Sequence, residues 1–189
     1  PPDEAFLMTR SMPVEPIAAR TARGQVAGPF SPLTPFEPVP IGGEINYTFG
    51  PEWVDLTSSR LATESTLVEF EGRTRYGEES HIPFHVSSAD WQESDRVFAG
   101  VLTAFGSRTR VIPIGGYGTF DGVMTESFGR PRIEGEFHGE QIRAWDVVWG
   151  SVRGGAVIQN SYVDVTDVRI TSGESIVTTA GRYSLGFPR

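Results

Sequence analysis

Two histidines and nearby carboxylates are the first residues of this chain that could do chemistry. His81 and His85 would share one face of a strand, and Glu78 or Glu79 could add a metal ligand. Their separation of four residues is too long for adjacent ligands on one strand, so we interpret both histidines as solvent-facing. The pattern therefore predicts no metal site and no cofactor.

A second group, Asp90, Glu93 and Asp95, could supply the paired carboxylates of glycoside hydrolysis. On the polar side of a helix they are more simply a solvated face with favourable first-turn charge. No Gly-x-Ser-x-Gly elbow occurs, and 115–118 (Gly-Gly-Tyr-Gly) lacks the strand–helix context of a phosphate cradle, so we interpret it as a turn. Cys and Lys are absent, which excludes thiol and Schiff-base chemistry. We predict no catalytic centre.

The composition sets wider bounds on function. The chain has 189 residues, of which 38% are apolar, so it can bury a core and is not wholly disordered. A formal net charge of -8 opposes a polyanionic phosphate backbone, and we expect no nucleic acid partner. No apolar run approaches the roughly 20 residues that span a bilayer.

Most of the chain has the alternation of half-buried strands. The first forty residues hold nine of the fourteen prolines and are predicted to be a connector or the tail of a preceding repeat. After Pro40, short runs place apolar residues at every second position, and Gly, Asn, Asp or Pro separate the runs. The predicted divisions are a connector at 1–40, a first β repeat unit at 41–86, a helix at 87–106 and a second β repeat unit at 107–189.

One segment has helical spacing instead. Ser87 or Ser88 could cap its start and Gly106 could end it, which predicts a short amphipathic helix around residues 88–105. We expect it to plug or cover one end of an apolar surface. The residues at helical spacing are Trp91, Asp95, Phe98, Val101, Leu102 and Phe105.

The strand-rich halves contain an internal repeat. Residues 54–77 align without gaps on residues 163–186, an offset of 109 (163 minus 54). Eight of the 24 aligned positions are identical. Stacked β units of this kind hide their apolar faces either in a filled sandwich or barrel or along an open, curled trough. Parity alone leaves both outcomes open, and the filled core is the commoner one.

Several phrases resemble the repeats of the bacterial TamB proteins and their AsmA-like relatives. They are the stretch from Pro40 to Tyr47, 54–56 (Val-Asp-Leu), 67–73 (Leu-Val-Glu-Phe-Glu-Gly-Arg), 129–137 (Gly-Arg-Pro-Arg-Ile-Glu-Gly-Glu-Phe), 147–152, 163–165 and the helix end 101–106. The likeness covers about residues 40–187 and includes no catalytic signature.

The resemblance implies a mainly β chain of curled antiparallel repeats, an open β-taco-like groove with an apolar interior. It implies a segment of a periplasmic protein, anchored in the inner membrane, that conducts phospholipid between the inner and outer membranes and supports outer-membrane assembly. Its partners would be phospholipid acyl chains, neighbouring repeats of the same chain and, through the parent protein, an outer-membrane barrel. The predicted groove lining is Ile45, Tyr47, Phe49, Val68, Phe70, Phe84, Ile133, Phe137, Val163 and Val165.

Two other functions remain open at this stage. A β-sandwich could carry a carbohydrate-stacking platform of aromatic side chains, or the chain could be a structural spacer without cargo. The platform candidates are Trp53, Trp145, Trp149, Tyr47, Tyr117 and Tyr162.

Overall fold

The strands of the chain form one antiparallel sheet in chain order. The computed structural model describes residues 6–10, 39–104, 114–144, 146–160 and 162–184. Ten strands are paired each with the next, nine of them within residues 42–184, and the sheet is curled and does not close on itself. The mainly β, curled fold with one short helix is therefore confirmed. The elements are β1 (Phe6–Arg10), β2 (Gly42–Phe49), β3 (Val54–Ala62), β4 (Thr66–Arg75), β5 (Glu79–Ser88), α1 (Trp91–Ala104), β6 (Ile114–Ser127), β7 (Arg130–Ala144), β8 (Val147–Gln159), β9 (Tyr162–Ser172) and β10 (Ser175–Ser184).

The proline-rich start contributes only an edge strand to the described structure. β1 pairs with β2 at the border of the sheet. The strand itself contains no proline, and the prolines flank it in the sequence. Residues 1–5 and 11–38 of the predicted connector lie outside the described residues. On the far side of the helix, β5 pairs directly with β6, so the two expected repeat units share a single sheet.

The helix begins at a different cap from the one expected. Ser87 and Ser88 belong to β5, and Asp90 caps α1 by accepting a hydrogen bond from the Gln92 amide at 2.9 Å. The predicted stop at Gly106 and the apolar position Phe105 lie outside the described residues. Ser87 and Ser88 do not cap the helix because strand β5 continues to Ser88.

Helix α1 lies on the apolar side of the sheet at one end of the strands. Trp91 is 7% exposed and, with Val86 and Ile142, forms a small buried cluster. The helix covers the sheet where β5 ends, as the sequence predicted for a plug. Apolar side chains packed around this cluster are Val68, Phe84, Phe98, Ile114, Phe120, Phe137, Trp149 and Val152.

Polar contacts fix α1 to the neighbouring strand ends. Ser94 is fully buried, and its hydroxyl bonds to Thr66 Oγ1 at 2.7 Å and Ser88 Oγ at 2.6 Å. Glu93 accepts hydrogen bonds from Thr63 Oγ1 and from the Ser65 amide. These groups have hydrogen-bond partners only when helix and sheet are docked, so they set the position of the helix.

Among the described residues, α1 and the strands include no helix with the length and apolar character of a membrane span.

We predict that Trp91 anchors the helix. Trp91→Ala should lower the free energy of unfolding by about 3 kcal/mol, because it opens a cavity against Phe137, whose ring centroid lies 5.1 Å away. Gln92→Ala, on the exposed side of the same helix, should change it by less than about 0.5 kcal/mol. Urea unfolding of both variants measures the difference, and equal losses would show that α1 is not held by this contact.

The carboxyl of Glu93 predicts an acid-sensitive helix contact. Partial burial raises the pKa of Glu93, but hydrogen bonds from Thr63 and Ser65 and the charge of Arg96 lower it more, so its pKa lies below the ordinary 4.5. A carboxylate of this kind stabilises the fold above its ordinary pKa and loses that contribution as the pH falls.

Wild-type stability should therefore drop as the pH falls below about 4.5, and Glu93→Gln should flatten this drop. Thermal unfolding across this range measures it. The exposed Gln92 provides the control Gln92→Ala, which keeps the Glu93 carboxylate and should therefore keep the wild-type slope. An unchanged slope in Glu93→Gln would contradict the assignment.

Candidate functional site

Strand pairing decides which side chains share the apolar face. Residues directly opposite each other in antiparallel strands point to the same side of the sheet, and this side alternates along each strand. We define the apolar face as the side on which α1 packs, and the polar face as its opposite. One complete row of the apolar face runs across β4 to β7 through Val68, Val86, Phe120 and Phe137.

All ten residues predicted to line a groove fall on the apolar face. Parallel rows through Phe70, Phe84 and Val165, and through Ile133 and Val163, extend it from β4 to β9. Toward the β2 end of the sheet, Tyr47 lies opposite Leu56 and Phe49 lies opposite Val54. Ile45 precedes Tyr47 by two residues and therefore points to the same face. The structure thus brings together Ile45, Tyr47, Phe49, Val68, Phe70, Phe84, Ile133, Phe137, Val163 and Val165.

Most of this face is only half-buried. Val86, beneath the helix, is 1% exposed, whereas Phe49 on β2 is 37% exposed. The other nine predicted lining residues all have intermediate exposure. In the described residues, α1 is the one element outside the sheet that packs on this face, and the predicted lining residues away from it are half-buried or exposed.

Aromatic rings form the middle of the apolar face. Phe84 and Phe120 stack with ring centroids 5.8 Å apart and planes 20° apart. Gly122 lies below them, because a Cβ there would come within 2.5 Å of the Phe120 ring and 3.1 Å of the Phe84 ring. The glycine makes room for the two rings to lie along the sheet rather than stand up from it.

Sequence reasoning missed some members of the face. Phe120 and Met124 belong to it on β6, and Ile158 on β8. The alternation that would have revealed Phe120 is obscured by small residues, because 115–118 is interpreted from sequence as a turn but lies inside β6. There Gly116 and Gly118 have φ of 110° and 151°, and a register shift stands in place of a turn.

The repeat predicted from sequence has a matching set of strand pairs. The β2–β3–β4 pairing and the β8–β9–β10 pairing follow the same register at the offset of 109, and both have bulges at equivalent positions. Ser58 and Asp167, also 109 apart, both adopt a left-handed φ, at 31° and 52°. The correspondence includes β2 and β8, where the sequence similarity is not visible.

In each repeat, one arginine forms an ion pair that joins two neighbouring strands, and we call this pair an arginine lock. In the first, Arg73 forms a two-pronged ion pair with Asp55, at 2.5 Å and 2.7 Å, and lies 4.9 Å from the Trp53 ring centroid. In the second, Arg182 binds Asp164 at 2.6 Å and 2.8 Å and lies 5.7 Å from the Tyr162 ring centroid. The fork and the stacked ring give the arginine one orientation, which fixes the register of the two strands.

A Ser–His–Asp contact lies on the polar face. His85 Nδ1 is 2.6 Å from Asp121 Oδ1, and its Nε2 is 3.0 Å from Ser87 Oγ. The side chains of His85 and Asp121 are 37% and 67% exposed, and Ser87 is paired with strands on both sides. A catalytic serine needs free amides to hold an oxyanion, and Ser87 lies inside the sheet ladder. We interpret the group as a surface ladder between β5 and β6.

The other candidates for chemistry are placed apart. His81 faces Arg73 and Thr125 across the strands rather than a second ligand, and no cluster suited to a metal occurs within the described ranges. Asp90 is occupied as the cap of α1, and Glu93 by its hydrogen bonds from Thr63 and Ser65.

The aromatic side chains named for a carbohydrate platform do not share one surface. Trp53 and Tyr162 lie under the arginines, while Tyr47 and Trp149 belong to the apolar face and the core cluster. Trp145 lies outside the described residues. Tyr117 is 45% exposed and borders a depression of about 890 Å³ near the start of β6.

A second depression, of about 830 Å³, is lined mostly by polar-face residues of β2 to β6, together with Phe70, Phe84 and Gly122. Its charged lining residues have mixed sign, and Arg60 pairs there with Glu44 at 3.7 Å. The polar face thus carries charged side chains of both signs. The charged or titratable lining residues are Glu44, Arg60, Glu69, Glu71, His85 and Asp121.

The two arginine locks predict separable titrations. Hydrogen bonds from Arg73 hold the pKa of Asp55 below its ordinary 3.8, and those from Arg182 do the same for Asp164. Arg73→Gln should raise the pKa of Asp55 and leave that of Asp164 unchanged, and Arg182→Gln should do the reverse. Carboxyl ¹³C NMR titration measures both. A single substitution that changes the pKa values of both Asp55 and Asp164 would show that the two ion pairs depend on each other, which would contradict the prediction.

No family model, no curated protein and no solved structure matches this chain. The resemblance to the TamB and AsmA-like repeats therefore stays a prediction.

Proposed function

We propose that the apolar face holds the acyl chains of phospholipids and that this chain is a segment of a periplasmic bridge between the inner and outer membranes. The observation that carries the proposal is a single apolar face, continuous across the strands and left half exposed. A sheet with one uncovered apolar side needs another apolar surface to lie against, and hydrocarbon supplies one.

The size of the face suits a lipid tail. Neighbouring strands lie about 4.8 Å apart, so the seven steps from β2 to β9 extend for about 34 Å. One leaflet of a bilayer has acyl chains covering about half of a 30 Å hydrocarbon core, or about 15 Å. The face is longer than one tail, which allows a tail to move along it without returning to water.

The energetics favour passage over capture. Each CH₂ group removed from water gains about 0.8 kcal/mol, so a tail meeting water between sites would stall. Rows such as Val68–Val86–Phe120–Phe137 and Ile82–Met124–Ile133–Ile158 offer similar apolar contacts from strand to strand. Repetition makes these sites alike, and no single deep pocket is needed to hold the tail.

The charged side chains lie on the opposite side of the sheet. Glu69, His85 and Asp121 are neighbours on the polar face, and each lies one residue away from a member of the apolar face. Tails would thus contact one side and water the other, with lipid head groups at the open border. The helix closes one end of the face, because Trp91 and Phe98 pack where β5 ends.

The wider role is proposed from the resemblance. In a bridge, neighbouring repeats of the same chain would continue the groove. The parent protein would be anchored in the inner membrane and would meet an outer-membrane barrel partner. Such a bridge would deliver phospholipid for outer-membrane assembly.

The test is the lipid that copurifies with the chain. Mass spectrometry of an extract from the purified protein should find phospholipid, and Phe70→Arg should reduce its amount at least fivefold because a guanidinium would lie among the tails. Glu71→Arg, on the same strand and at a solvated position, is the matched control and should retain it.

Folding is checked separately, so that a lost lipid is not mistaken for a lost fold. Thermal unfolding of Phe70→Arg should stay cooperative, and Phe49→Arg gives a second variant at a more exposed position. Phospholipid bound equally by wild type and both apolar-face variants would contradict the proposal. Absence of lipid with a folded wild-type chain would favour a spacer, and glycan binding would favour a carbohydrate module.

A further inference from the structure

The two repeats differ in the surroundings of one arginine. In the first repeat, Arg60 lies opposite Glu44 on one neighbouring strand and opposite Glu69 on the other. Its guanidinium forms an ion pair with Glu44 at 3.7 Å. Opposite charges across strands are favourable, so the first repeat neutralises this arginine within the sheet.

The second repeat keeps the arginine and loses both carboxylates. Arg169 is the equivalent of Arg60 at the offset of 109, and it lies opposite Arg153 and Thr178. Arg153 is the equivalent of Glu44, and Thr178 of Glu69. His138, on β7, lies opposite Arg153 on its other side. Three basic side chains therefore stand in one row of the polar face, where the first repeat alternates in sign.

Neither arginine of this row has a carboxylate directly opposite it, and the nearest acidic side chains of the polar face on β7, Glu136 and Glu140, lie two residues to either side of His138. Within the described part of the chain, neither Arg153 nor Arg169 makes an ion pair or a side-chain hydrogen bond, and both are exposed. Glu140 accepts a hydrogen bond from Ser151, and Asp164 is held by Arg182.

Two guanidinium groups directly opposite each other repel, and their Cα atoms lie only about 5 Å apart in such a pair. In a chain with net charge -8, this row is a place where added negative charge is favourable.

We infer that Arg153, Arg169 and His138 form a binding site for a phosphate group. Paired guanidinium forks match the oxygen atoms of a phosphate, and an imidazole adds a further donor. A bound phosphate would replace the repulsion between the arginines with two attractions. The site lies on the polar face, so it is independent of whether the apolar face holds acyl chains.

The phosphate could belong to a soluble molecule or to the head group of an anionic lipid. Both present the same anionic oxygens to the arginines, and the experiment separates them. The first repeat supplies the internal control, because Arg60 has the same place in the fold with its charge already neutralised.

The first arm measures thermal unfolding of the whole chain in sodium phosphate and in sodium chloride of equal ionic strength. Phosphate should raise the Tm of the wild type, since a ligand that binds only the folded state stabilises it. Arg169→Gln should remove most of this rise, and Arg60→Gln should keep it. Arg153→Glu should also remove it, while raising the Tm in chloride by restoring the charge alternation of the first repeat.

The second arm measures flotation of the chain with phosphatidylglycerol or phosphatidylcholine vesicles. Flotation with phosphatidylglycerol alone, lost in Arg169→Gln and kept in Arg60→Gln, assigns the site to a lipid head group. A phosphate-dependent Tm rise without flotation assigns it to a soluble phosphate. If neither effect occurs, or if Arg60→Gln abolishes them as fully as Arg169→Gln does, the inference is overturned.

Discussion

Cross-strand pairing in a single sheet is the constraint on which the rest of this structure depends. Every paired residue fixes the side on which its neighbours point, so a run of apolar residues in one strand aligns with the runs in the next. A sheet with only one layer cannot cover the apolar side with a second sheet. In the described part of the chain the partial cover comes from curling and from α1, and the cluster around Val86 and Trp91 is correspondingly small.

Repetition extends this constraint along the chain while leaving the polar face free to change. Asp55–Arg73 and Asp164–Arg182 hold equivalent strand pairs in equivalent registers, with bulges at matching positions. The apolar parity persists in both repeats because a shift of one residue would turn it outward. A change of charge on the polar face does not disturb this parity, and there Arg153 occupies the position equivalent to Glu44.

The sequence was informative wherever local spacing decides the structure. Alternation placed all ten candidate residues, from Ile45 to Val165, on one side, because every second residue of a strand points to the same side whichever strand is its neighbour. Helical spacing located α1 for the same reason. The cap was missed because Ser88 satisfies both a strand and a cap pattern, and its pairing with Thr66 and Gly118 extends β5 so that Asp90 becomes the cap. The segment 115–118 was missed because glycine is compatible with turns and with bulged strands alike.

Whether the apolar side was open or filled could not be predicted from the sequence, since both outcomes need the same parity. The basic row was equally hidden, because Arg153 and Arg169 are sixteen residues apart (169 minus 153) and meet only through the β8–β9 register. The aligned repeat supplied the one available signal, through the replacement of Glu69 by Thr178 at an equivalent position.

The most direct measurement of the central claim is methyl NMR of the chain with a phospholipid that carries a paramagnetic label on its tail. The apolar-face methyl groups of Val68, Ile133 and Val163 should broaden. Those of Val123 and Val157, which have the opposite parity in β6 and β8, should broaden measurably less. Equal broadening on both sides, or none on the apolar face while the polar face responds, would contradict an apolar side open to hydrocarbon.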